Sequence, residues 1–129
     1  MPRFVVLRHQ MPPESTRPLH WDLMLEEGDH LITWALSAAP AIDCPLKALP
    51  LTAHRLEYLE YEGPLSGNRG VVSRHDWGTY EKLFEDDHQR VIALKGQHIC
   101  GRATIAKQPQ DADGVALHIE GGAATTPRC

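Results

Sequence analysis

A chain of 129 residues with 42% hydrophobic and 23% charged side chains has the make-up of one globular domain large enough to bury a core. Its formal charge of −4, with eight histidines counted as neutral, excludes the basic surface that broad nucleic-acid coating needs. Cys44, Cys100 and Cys129 are odd in number and lack paired spacing, so neither a disulfide framework nor a zinc ribbon is expected. The N-terminal apolar run is too short for a signal peptide and no stretch is long enough to span a bilayer; a cytoplasmic protein with no membrane partner is expected.

Residues 4–8 read as a strand, and the three prolines within 10–18 make that segment a loop. Residues 20–25 and 30–36 read as two strands joined by the turn Glu27-Gly28-Asp29, a hairpin by pattern. Residues 37–50, rich in Ala and Pro, predict a wandering connection. Residues 51–61 fit either a strand or a helical turn followed by a strand. Residues 62–70 are a glycine-rich loop, read as a barrel corner or as a backbone cradle for a phosphate. A short strand is expected at 71–74, a turn at 76–80, and a short helical turn within 80–87, where Tyr80, Leu83 and Phe84 have helical spacing. Strands at 91–94, 99–106 and 115–119 complete the pattern, with a turn at 95–97 and a polar loop at 108–114. Many short strands with frequent turns predict an all-β barrel or sandwich. Residues 1–120 are expected to form one domain and 121–129 a disordered tail.

The stretch with the most chemistry is His20-Trp21-Asp22-Leu23-Met24-Leu25-Glu26. On a strand its side chains alternate between two faces. Trp21, Leu23 and Leu25 suit a core; His20, Asp22, Met24 and Glu26 fall on the other face. A His and a carboxylate at i and i+2 can reach one divalent ion, and His9, at the end of the preceding apolar run, completes a two-His, one-carboxylate set. Alone, His20 and Asp22 read equally as a solvent-facing pair, and His54 and Tyr58, four apart, as packing neighbours.

The order of these pieces resembles the 3′-phosphoesterase domain of bacterial DNA ligase D over about residues 4–107, as a stand-alone, divergent member. The carrying motifs are Phe4-Val5-Val6 with His9, the His20–Glu26 stretch, Thr33-Trp34-Ala35, His54 to Tyr58 with Tyr61-Glu62-Gly63, His75-Asp76-Trp77-Gly78-Thr79-Tyr80, and Leu94-Lys95-Gly96 to Gly101. The resemblance implies a compact antiparallel β-barrel, mainly β, with one or two short helical turns. It implies a divalent metal, typically Mn²⁺ with Zn²⁺ or others as alternatives, that removes a 3′-phosphate or a 3′-terminal ribonucleotide from DNA ends in repair and end joining. By position, His9, His20 and Asp22 match the metal ligands, and His54 and Tyr58 match residues that contact the phosphate.

The chain departs from that pattern. The family arginine two residues past the aspartate is Met24, and a thioether cannot grip phosphate oxygens as a guanidinium does. Lys47 is the nearest cation to a second family arginine, and the loop between His9 and His20 is longer than usual. Arg55, Arg69 and Arg74 are extra cations and candidates to replace the lost arginine. The expected partners are DNA 3′ ends or another phosphoester, with ligase or polymerase functions on separate proteins. Two other functions compete: a binding module that kept the barrel and lost efficient catalysis, and a cupin-type non-haem iron oxygenase completed by His75, His98 or His118.

Overall fold

The computed structural model describes residues 1–108 and 111–121. Among the described residues nine strands follow in chain order: β1 Arg3–Gln10, β2 His20–Glu27, β3 His30–Leu36, β4 Leu46–Arg55, β5 Gly63–Pro64, β6 Val71–Glu85, β7 Gln89–Gly96, β8 Cys100–Gln108 and β9 Asp111–Gly121. One 3₁₀ turn, Leu56–Leu59, follows β4. The sheet runs β1-β2-β3-β4-β9-β8-β7-β6, and β6 pairs back onto β1. Every pairing between strands is antiparallel, so eight strands close a barrel and the two-residue β5 lies against the start of β6. No helix among the described residues is long and apolar enough to cross a membrane.

Phe4-Val5-Val6-Leu7 is buried at every position. An unbroken apolar run means a strand covered on both faces. On one face Phe4 and Val6 join Leu23, Leu25, Trp34 and Leu36 in the barrel interior, which β6 to β9 complete. On the other face Val5 and Leu7 meet Met24, Leu31, Leu59 and Val72 in a second core. The 3₁₀ turn and the loop after it cover that outer core with Leu56, Tyr58, Tyr61 and Leu65. The predicted inward face of β2 is therefore correct, and its opposite face is buried as well.

Several local expectations fail. Residues 46–50 belong to β4 rather than to a connection, because Leu46 and Lys47 pair with β9. The helical turn expected near 51–61 is the 3₁₀ turn and follows the strand instead of preceding one. The turn at 76–80 and the helical turn at 80–87 are both strand, parts of the fifteen-residue β6. Its register slips beside His75, between the pairs Val6–Asp76 and Leu7–Arg74, and again between Lys82 and Phe84. Such bulges break the two-residue alternation and bend a strand, which is what lets β6 serve β1 with its first half and β7 with its second. Tyr80 points inward while Leu83 and Phe84 are exposed, so their helical spacing reflects the second bulge. The expected polar loop at 108–114 is strand from Asp111 onward. The tail expected at 121–129 lies, beyond Gly121, outside the described residues.

Candidate metal centre

The β1–β2 register builds the site. His9 stands directly opposite His20, and Leu7 opposite Asp22. Alternation puts all three polar side chains on the outer face, at the end of the second core. They are buried, with 8%, 6% and 4% of His9, His20 and Asp22 exposed. One ligand atom from each lies within 4.8 Å of the others, and the two imidazole rings are 4.6 Å apart.

Their hydrogen bonds leave one nitrogen of each ring facing the Asp22 carboxylate. His20 Nδ1 donates to the Pro18 carbonyl at 3.1 Å, so Nε2 carries the lone pair. That lone pair faces Asp22 Oδ1 at 3.4 Å, and Oδ1 has no hydrogen-bond donor. His9 Nε2 donates to the Arg69 carbonyl at 2.7 Å, and Nδ1 lies 3.2 Å from Asp22 Oδ2. Without a cation, His9 must hold a second proton to satisfy both oxygens. The hydrogen bond to Asp22 accordingly raises its pKa above the usual 6.5, against the opposing effect of burial.

These residues fit a divalent metal. Bonds of about 2.0–2.2 Å hold neighbouring donors roughly 3.0–3.5 Å apart, the spacing of both His–Asp contacts. The orphaned Oδ1 gains a partner, and each imidazole keeps its outer N–H on a carbonyl, the arrangement that orients histidine ligands. Gly70 makes the second of those contacts possible. It has a φ of 97°, and a Cβ there would collide with the Gln10 carbonyl oxygen, so only glycine lets the loop lay Arg69 over His9.

The other predicted residues divide. His54, opposite Leu31, shares the outer face; its Nδ1 is buried without a hydrogen-bond partner, and its ring meets Tyr58 edge-on at 5.7 Å. Tyr58, Tyr61, Arg55 and Arg69 line a cleft of about 380 Å³. Arg69 joins the cleft to the His–Asp cluster, its carbonyl on His9 and its guanidinium on Ser66. Arg55 pairs with Glu57. Arg74 does not join them: its guanidinium lies 4.3 Å over the Trp77 ring. Lys47 is exposed on β4 and makes no hydrogen bond or ion pair with the cluster. His75, His98 and His118 sit beside Trp21, Trp77 and Asp43 respectively, so the second histidine of the cluster is His9 from the strand before, not one from later in the chain.

Sequence reasoning missed three contributors. The carbonyls of Pro18 and Arg69 fix the two imidazoles, and backbone groups leave no trace in side-chain patterns. Arg17 places Nη2 3.3 Å from His20 Nε2. Its only sequence signal is its place three residues before His20, in the lengthened loop.

Among curated proteins, no match is found. The family model of the DNA ligase D 3′-phosphoesterase domain matches residues 10–107. That span holds His20, Asp22, His54 and Tyr58 and starts one residue after His9. It covers most of the chain, and the closed barrel agrees with it: the protein belongs to the DNA ligase D 3′-phosphoesterase domain family.

Proposed function

We propose that the barrel is a divalent-metal-dependent phosphoesterase that trims DNA 3′ ends, removing a 3′-phosphate or a terminal ribonucleotide during repair and end joining. The observation that carries this reading is the buried His9, His20, Asp22 cluster, in which His9 Nδ1 and His20 Nε2 face the Asp22 carboxylate and Asp22 Oδ1 has no donor. Mn²⁺ is the expected ion on the family's account; the two-nitrogen, one-carboxylate set also suits Zn²⁺.

A bound metal supplies positive charge to the phosphoryl oxygens and a water of lowered pKa. The chain's residues do the rest. His9 and His20 stay oriented through their carbonyl partners. His54 donates a hydrogen bond or proton to the phosphate, and Tyr58 donates a second hydrogen bond from the adjoining cleft. Arg55 and Arg69 flank that cleft and balance charge along the DNA strand, whereas Lys47 and Arg74 have more distant roles.

The test is purified protein with Mn²⁺ and a primer–template ending in a 3′-phosphate or one 3′-ribonucleotide, beside His20→Ala. Loss of the terminal group with wild type alone supports the proposal. Turnover by metal-free His20→Ala refutes it. One observation favours a second reading, a DNA-end binding module: Met24, where the family carries arginine, is buried at 2% exposure in the outer core. Retained Mn²⁺ with no turnover on either substrate would select that reading.

A further inference from the structure

We propose that Arg17, carried by the loop between β1 and β2, is the arm that grips the substrate phosphate. This inference rests on the metal reading above. The guanidinium is a donor with no lone pair, and its Nη2 sits 3.3 Å from His20 Nε2. Nε2 is the lone pair that the Pro18 contact leaves free. Arg17 therefore occupies the edge of the place where a metal would bind.

Other arginines around the barrel are engaged. Arg3, Arg55 and Arg90 pair with Glu26, Glu57 and Glu85, Arg69 holds Ser66, and Arg74 stacks on Trp77. Among the described residues Arg17 has no carboxylate in ion-pair range, and the residue is exposed. A metal that takes the Nε2 lone pair displaces the guanidinium and repels it. The planar fork is then left beside the metal, where a phosphate can bridge the two by presenting two oxygens to the arginine. The strand position that would offer a guanidinium directly is closed, because Met24 is packed against Val5, Leu31 and Leu59.

Binding without turnover tests this. Wild type, Arg17→Ala and Arg17→Lys are titrated, with Mn²⁺ present, against an oligonucleotide ending in a non-hydrolysable 3′-phosphonate and against its 3′-hydroxyl twin. Mn²⁺ affinity is measured separately by electron paramagnetic resonance. Wild type should prefer the phosphonate. Arg17→Ala should lose about tenfold of that preference, ~1.4 kcal/mol, with lysine recovering part of it, while Mn²⁺ affinity holds or tightens. If Arg17→Ala keeps the full preference while wild type holds Mn²⁺, the Arg17 proposal alone falls. It also falls if Arg17→Ala loses Mn²⁺, since the residue would then be supporting the ligands. Wild type that binds no Mn²⁺ overturns the metal reading and this proposal together.

Discussion

Among the described residues the barrel buries two aspartates, Asp22 and Asp76, and they are opposites. Asp76 is fully covered, and its oxygens are spent: Oδ1 accepts from the Trp77, Gln97 and His98 amides at 2.8–3.1 Å, and Oδ2 accepts from Ile99 at 2.9 Å. It clamps the β7–β8 turn onto β6, and a Cβ on Gly96 would collide with its carboxylate. Asp22 is nearly as buried, yet one oxygen has no donor and the other faces an imidazole nitrogen. Burial alone does not separate a structural carboxylate from a functional one. The completeness of its partners does, because a buried polar group left unsatisfied costs stability and persists where something else is meant to bind.

That contrast can be broken by mutation. Asp76→Ala should be the more damaging change to the fold. Four backbone amides lose this acceptor, of which Gln97 keeps a second in the Trp77 carbonyl at 3.1 Å; at ~1–3 kcal/mol for each one left unsatisfied, partial rescue by water still leaves a loss of about 3 kcal/mol. A thermal melt should show Tm falling by roughly 10 °C or more; a drop of only a degree or two would mean that the clamp is dispensable. Asp22→Asn should invert the pattern. Calorimetry should show Mn²⁺ affinity falling at least ~100-fold, about 2.7 kcal/mol, while the Tm of metal-free protein moves by only a few degrees. A large Tm loss with intact metal affinity would make Asp22 a second clamp.

The smallest effect is graded and comes from pH. A metal needs the His9 Nδ1 lone pair, and Asp22 helps that nitrogen keep a proton by raising its pKa above the usual value. Proton and metal compete, so Mn²⁺ affinity should fall as pH drops through the raised His9 pKa. The fall begins above pH 6.5 and approaches about tenfold per pH unit on the acid side. Affinity that stays flat from about pH 8 to pH 5.5 would remove His9 from the ligand set.

What the sequence revealed follows the range of each signal. The β1–β3 strands and the His9, His20, Asp22 set were legible because two-residue alternation is local, and a hairpin register brings such faces together. β6 was not, because its bulges at His75 and near Leu83 reset the alternation and imitated a turn and a helix. The strand at Leu46–Pro50 was missed because Ala and Pro carry little strand preference, and its first two residues pair with β9, about seventy residues away, while the rest pair with β3. Arg17 depends on the path of a proline-rich loop, which no periodicity encodes.

The burial of Met24 also bears on how this site can change. With Val5, Leu31 and Leu59 packed against it, restoring an arginine there would trap an unpaired guanidinium in an apolar layer. A single substitution would therefore not place a working guanidinium at position 24 unless the 3₁₀ turn were lifted from the barrel at the same time. Packing has closed that position to charge, and anion recognition at this centre falls to the loops around it.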